Sequence, residues 1–274
     1  MRVKLFDRKL LEHFYGILSA ISVLTSLLLI VIDIPSGYKL VISFFSVVIL
    51  ISIYIFLWCK ANHLKSIEFL INDSPVEIVF GDIFTEDGLK VIAFNEFFDT
   101  QVVDRLVPPS TINGTYLTRY ITDIAELDNC ILEDDHLRSR ITDSTCERSY
   151  GKKIKYKLGS IIQKDDFLLT AFAHLDNENR SYLSMRDFIE FLIEFWNEID
   201  IVYAGRTIVI PLLGSGITRF RGYDSITEQE LLELLIWSFK VSHIKFQYPS
   251  KVKIVIKPTK SDKISLFRLS TLLK

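Results

Sequence analysis

Two long uncharged runs near the N-terminus constrain this chain more than any other feature. Phe14 to Ile32 reads FYGILSAISVLTSLLLIVI, and Leu40 to Cys59 reads LVISFFSVVILISIYIFLWC. As helices rising about 1.5 Å per residue, each reaches roughly 28–30 Å, the thickness of a bilayer's hydrocarbon layer. Between them, Asp33-Ile-Pro-Ser-Gly-Tyr-Lys39 holds the Pro, Ser and Gly of a tight turn. The expectation is a segment 1–65 carrying two transmembrane helices, at about 14–32 and 40–59. Arg2, Lys4, Arg8 and Lys9 precede the first run, Lys60 and Lys65 follow the second, and only Lys39 lies between. Basic residues favour the cytoplasmic side, so the chain is expected to be multi-pass with both termini in the cytoplasm. A signal peptide has a shorter apolar core, of about 7–15 residues, and a small-x-small cleavage site that is missing before the second run. Gly16 and Ala20, then Ser22 and Ser26, set small residues at a spacing that allows close helix approach, between copies or within one hairpin. Neither run contains Asp, Glu, Lys, Arg or His, so the hairpin reads as an anchor or a passive element and not as a transport path.

The 274-residue chain has room for one further domain. Its 49% hydrophobic content is high because the excess is concentrated in the first sixty residues. A net charge of −2 argues against a surface built for phosphate backbones, and no nucleic-acid partner is expected. Cys59, Cys130 and Cys146 have no metal-ligand spacing and cannot close a disulfide framework, which fits a reducing compartment. His13, His63, His136, His174 and His243 are scattered, so no metal site is expected.

From residue 66 onward short β-rich runs alternate with longer amphipathic ones, the pattern of an α/β domain with helices covering a sheet. Val76–Phe80, Leu89–Phe94, Phe167–Ala173, Thr207–Leu212 and Val252–Lys257 are the expected core strands. Ser184–Glu198, with Met185, Phe188, Phe191, Leu192 and Phe195 at helical spacing, is the clearest helix. A second helix covers about 227–242, opened by Ser225 with Glu228 or by Thr227 with Glu230 as capping box. Gly114 to Asp128 is expected to form one helix, and Asp128 to Gly159 is charged and irregular.

Three strand ends carry the chemistry. The run ending Phe80-Gly81-Asp82-Ile83 puts a carboxylate after a strand, where it can accept a hydrogen bond from an exocyclic amine or simply cap the next turn. The run ending in Asn95 puts an amide where α/β sheets bind ligands, with a turn-forming role as the alternative. Thr207-Ile-Val-Ile-Pro-Leu-Leu-Gly-Ser-Gly-Ile-Thr218 opens a buried strand into a glycine-rich loop. Such loops converge backbone N–H groups into an anion-binding nest without needing lysines. The loop is neither a Walker motif nor a GxGxxG fingerprint.

Together, Gly81-Asp82-Ile83, Asn95 and Pro211-Leu-Leu-Gly-Ser-Gly-Ile217 resemble the macro domain, the ADP-ribose-binding module, over about residues 70 to 260. With the two membrane runs, and with Val91-Ile-Ala-Phe-Asn-Glu-Phe-Phe-Asp-Thr100 and Ser110-Thr-Ile-Asn-Gly114, the chain resembles the membrane-anchored macro-domain effectors of type II Thoeris anti-phage defence. The resemblance implies a three-layer α/β/α macro-like domain with a mixed sheet, spanning 66–274 on the cytoplasmic side of a bacterial inner membrane. It implies that Asp82 takes the adenine amine and Ile83 packs near the ring. Gly214, Ser215, Gly216, Ile217 and Thr218 would cradle the diphosphate, and Asn95 would lie near the distal ribose. Asn113 and Gly114 would form the opposing loop, Phe220 would stack, and Arg219 and Arg221 would pair with phosphate or stay solvated.

The Asn-Ala-Ala-Asn and triple-glycine loop of ordinary macro domains is replaced by Asn95-Glu-Phe-Phe-Asp-Thr100. A sensor is therefore expected and not a hydrolase, with no cofactor. The implied ligand is an ADP-ribose-derived signal such as histidine-ADP-ribose, made by a TIR-domain NAD-consuming partner. The implied outcome is homo-oligomerisation and disruption of membrane lipid. A membrane-tethered ADP-ribosyl hydrolase and an ADP-ribose-reading scaffold are the alternatives.

Overall fold

The computed structural model of the chain describes residues 3–104 and 106–272. Contacts divide it into two compact units: residues up to Ile67 together with those from Ile264 on, and Glu68–Lys263.

The first unit begins with two helices, α1 (Arg8–Val31) and α2 (Ser36–Asn62). Asp7 starts α1 by accepting from the N–H groups of Lys9 and Leu10. Both helices run past the uncharged stretches that defined them, because α1 opens on a polar turn braced by Arg8–Glu12 and Lys9–Glu12 pairs and α2 ends beyond Lys60. Both are long and apolar enough to cross a membrane, and their apolar side chains point outward: Ile30 is 79% exposed and Leu40 84%. Apolar surface on this scale is unfavourable in water and favourable in hydrocarbon. Where the two helices meet near the chain start, Val3, Leu10 and Ala61 are buried against Tyr54, Leu57 and Trp58. Trp58 Nε1 donates to the Val3 carbonyl at 2.9 Å, and Asn62 Oδ1 accepts from Val3 N at 2.9 Å.

The second unit contains, in order, β1 (Ser66–Ile71), β2 (Ser74–Phe80), β3 (Leu89–Asn95), α3 (Ile112–Arg119), α4 (Ile124–Glu133) and α5 (Asp135–Arg138). Then come β4 (Ile141–Asp143), β5 (Lys155–Tyr156), β6 (Ile161–Lys164), β7 (Phe167–Leu175) and β8 (Ser181–Ser184). It closes with α6 (Met185–Val202), β9 (Ile208–Pro211), β10 (Arg219–Arg221), α7 (Glu228–Ser242) and β11 (Val252–Ile256). A nine-stranded sheet runs β1-β2-β11-β9-β3-β7-β8-β10, with β6 also on β7. β2, β11, β9, β3 and β7 are mutually parallel, while β6 and β8 run antiparallel to β7, so the sheet is mixed.

Strand alternation assigns the faces. Ile92 and Phe94 of β3 and Leu169 and Ala171 of β7 pack under α3 and α4 with Tyr116, Leu117, Leu127 and Ile131. On the other face Phe172 meets Phe191 of α6 edge-on, 4.9 Å between centroids, and Trp196 of α6 donates to Ser238 of α7 at 2.9 Å. Helices therefore cover both faces, giving three layers.

The five expected core strands and the helices α6 and α7 are present. Ser184 with Asp187 closes a capping box on α6, and on α7 it is Thr227 with Glu230, not Ser225 with Glu228. The single helix expected over Gly114–Asp128 is corrected to two: Asp123 accepts from the N–H groups of Ala125 and Glu126 and so starts α4 afresh. Residues 128–159 contain the end of α4, α5 and the two-stranded pair β4–β5. The last described helix, α8 (Leu266–Leu272), groups with the first unit, where Phe267 packs beside Trp58.

Candidate ligand-binding site

Because five strands run parallel, their carboxyl ends share one edge, where open α/β sheets bind ligands. A cleft of about 550 Å³ opens there. Its floor is Ala93–Asn95, Ala173 and Val255; one wall is Ser110–Asn113 at the start of α3, the facing wall is Pro211–Arg219, and Glu178–Ser181 lies at one end.

The glycine loop is built for exposed amides. Gly214 has φ +78°, and a Cβ there would stand 2.8 Å from the Phe220 ring, so only glycine fits without displacement. Ser215 Oγ donates to Leu212 O at 2.6 Å and closes the turn. Among the described residues, no acceptor satisfies the N–H groups of Gly214, Gly216 or Ile217. Lys260 Nζ donates to the Ser215 carbonyl and lies 3.5 Å from Glu228 Oε1, while Lys263 Nζ pairs with the same carboxylate at 2.8 Å. Burial holds the Lys260 ammonium below its usual range. Thr218 Oγ1 and Ser181 Oγ meet at 3.1 Å.

The turn entered by Asn95 is organised differently. Asn95 Oδ1 accepts from Phe97 N at 3.0 Å and Asp99 N at 3.3 Å, and its Nδ2 donates to Asp99 Oδ2 at 3.1 Å. Asp99, 1% exposed, is paired with Arg148 at 2.9 Å and accepts from Lys152 N at 2.8 Å. Arg148 lies 3.9 Å over the Phe97 ring and donates to Asn179 Oδ1. Next to it, buried Glu96 holds His174 Nδ1 at 2.5 Å and Lys155 Nζ at 3.0 Å. The charged segment that sequence left unassigned thus supplies cations for two buried carboxylates in the turn that follows Asn95.

At the start of α3, Thr111 accepts from Gly114 N at 3.0 Å and caps the helix. A Cβ on Gly114 would lie 2.3 Å from the Pro108 carbonyl, so this glycine lets the helix abut the 108–109 turn. Asn113 is 8% exposed and its Oδ1 has no protein partner. Beneath it, burial raises the Tyr116 hydroxyl pKa well above its usual value.

Of the residues expected at the site, Asn95, Asn113, Gly214, Ser215, Gly216, Ile217, Thr218 and Arg219 line this one cleft. Asp82, Ile83, Gly114 and Phe220 do not. Asp82 Oδ1 accepts from Phe84 N at 3.1 Å and caps the turn 83–85, and Oδ2 has no partner among the described residues. Ile83 is buried behind the floor with Val209 and Val255. Phe220 packs edge-on against Phe188 at 5.3 Å, under Gly214, as core. Arg221 stacks 3.4 Å over Tyr182. Asp104, Asn179, Arg180 and Lys257 also line the cleft and escaped sequence reading. The polar run Asp176–Ser181 between two strands was the signal available for two of them.

Comparison with known proteins gives the family. A family model described as "Thoeris protein ThsA, Macro domain" matches residues 76–257. The "Thoeris protein ThsA" of Bacillus amyloliquefaciens (strain Y2) is 37% identical over 274 residues, covering 98% of this chain and 90% of that protein. Among solved structures, the Oceanobacillus iheyensis macrodomain with MES bound is similar at 16% identity and a TM-score of 0.48, over 76% of this chain and 96% of the other. The same macrodomain with ADP gives 16% identity and 0.49, over 77% and 97%.

Proposed function

This chain belongs to the Thoeris ThsA family of anti-phage defence effectors, and on that premise we propose that its macro domain is a receptor that binds an ADP-ribose-derived nucleotide without turning it over. The observation that carries this is a contrast within the cleft: the loop after β9 carries the amides of Gly214, Gly216 and Ile217 without an acceptor among the described residues, while Asn95 on the floor has both ends of its amide spent. Three convergent N–H groups suit a diphosphate, which needs donors and not a base. Thr218 would add a hydroxyl and Arg219 a charge, and Asn113 would face the ligand from the opposing wall. Asp82, just past the end of β2 at the same edge of the sheet, would offer its second carboxylate oxygen to an adenine amine, with Ile83 behind it.

Hydrolysis of an ADP-ribosyl bond needs a polar group that holds a water against the distal ribose. Asn95 is the residue positioned for this, and both ends of its amide are committed to Phe97 and Asp99. That commitment favours a receptor over the tethered hydrolase. Release of free ADP-ribose from an ADP-ribosylated donor, lost in Asn95→Ala, would reverse the choice.

The helices α1 and α2 serve as a membrane hairpin in the bacterial inner membrane, with both termini and the macro domain cytoplasmic, as the basic residues around them favour. In this reading residues 1–65 are the anchor and 66–274 the receptor segment. The signal, such as histidine-ADP-ribose, comes from a TIR-domain enzyme that consumes NAD. Ligand that binds an assembled state more tightly than the free one drives assembly, and assembled hairpins breach the bilayer. The test is dye release from liposomes carrying the full-length protein. Ligand-dependent leakage is expected, and equal leakage with and without ligand refutes the effector step.

A further inference from the structure

The glycine loop owes its shape to a residue far from it in sequence. In a trans peptide, the carbonyl of one residue and the N–H of the next point in opposite directions. Lys260 donates to the Ser215 carbonyl, so it fixes the plane of the Ser215–Gly216 peptide and with it the direction of the Gly216 N–H, which has no acceptor among the described residues. Lys260 is itself held. It sits on the 3-10 turn Pro258–Lys263, half-buried, beside Glu228 in the first turn of α7, and Lys263 anchors the same carboxylate from the other side. Lys260 does not line the cleft.

We propose that Lys260 is a positioning residue for the diphosphate nest: it turns the Ser215 carbonyl toward itself and so presents the Gly216 amide to the ligand, without touching the ligand. The arrangement solves a specific problem. Gly214 and Gly216 give the loop two residues with wide backbone freedom, and a free loop samples peptide orientations that aim a carbonyl oxygen at the anion. A buried ammonium with a partner carboxylate removes that option before ligand arrives, which is preorganisation. Glu228 is shared with Lys263 and offsets only part of the charge, and the role assigned to Lys260 is direction.

The inference rests on the reading that the loop takes a diphosphate, and the test separates the two. Full-length protein in detergent is titrated calorimetrically with ADP-ribose, and with adenosine, which has no phosphate. Lys260→Met is expected to weaken ADP-ribose binding roughly tenfold or more, the loss of one amide-to-phosphate contact, and to leave adenosine binding unchanged. Lys260→Arg, which can still donate to the carbonyl and pair with Glu228, is expected to restore binding. The ratio between wild type and Lys260→Met should be the same at low and high salt, whereas a lysine that pairs directly with phosphate would give a ratio that shrinks as salt rises. Thermal unfolding of each variant identifies any general loss of fold, and in that case Glu228→Gln, which loosens Lys260 while keeping the ammonium, is the second probe and should weaken ADP-ribose alone. If wild-type protein gives no heat with ADP-ribose, the diphosphate reading fails. If wild type binds and Lys260→Met binds as well, or if its deficit vanishes at high salt, the positioning role is wrong.

Discussion

Two parts of the site, the loop after β9 and the turn at the end of β3, use opposite chemistry. The loop offers backbone groups that nothing among the described residues satisfies, while in the turn Asn95, Glu96 and Asp99 all end in hydrogen bonds or ion pairs. Gly216 and Ile217 are exposed, so water completes this side until a ligand displaces it. The second is complete without a ligand. Recognition is thus concentrated on one side, and rigidity on the other.

Breaking the paired turn should have the largest effect. Arg148→Ala leaves Asp99 buried without its partner, and a loss of about 3–5 kcal/mol is expected, seen as a shift of the denaturant midpoint. A loss under about 1 kcal/mol would mean that this turn is not held as described.

Breaking the unpaired loop should leave the fold in place and remove the ligand. Gly214→Val meets a positive φ and the Phe220 ring, and ADP-ribose affinity is expected to fall by about a hundredfold, read by calorimetry. The far strand end sharpens the contrast. Asp82→Ala loses a cap worth about 1 kcal/mol, and should lower ADP-ribose affinity by about tenfold while sparing ribose 5-phosphate.

Acidity has the gentlest effect. Asp187, which caps α6 beside His174, keeps its carboxyl below the usual 3.8 although burial pushes it up, because the Ser184 hydrogen bonds and His174 outweigh burial. A depressed carboxyl contributes stability that is full above the unfolded value and is lost as pH falls through the lower folded one. Below about pH 4 the paired side should weaken, by less than about 1 kcal/mol given the partial exposure of Asp187, and Asp187→Asn should flatten that slope in acid unfolding curves. On the amide side the group that follows acid is Glu228, which burial pushes up but Lys263 and Lys260 hold below its usual value.

The legible parts of this molecule were the local ones. Long uncharged runs marked α1 and α2, short β-rich runs marked the core strands, and Gly214-Ser-Gly216 announced its loop because the backbone freedom it needs is written in the residues themselves. Asn95 lines the cleft, yet its commitment to Asp99 and, through it, to Arg148 spans a charged stretch with no pattern of its own. Phe220 looked like a stacking ring from its place after the loop, and the structure uses it as core because Phe188 of α6 stands against it. Lys260 lies 45 residues from the carbonyl that it orients. Such long-range pairs are set by sheet order, which one sequence does not display.

Titrating the full-length protein with ADP-ribose beside its Gly214→Val variant addresses the receptor claim with the fewest assumptions. Saturable one-site binding by the wild type, with no free product formed and little heat from the variant, is the predicted result. Equal heats from both proteins, or none from either, would mean that the loop after β9 is not where this chain reads a nucleotide.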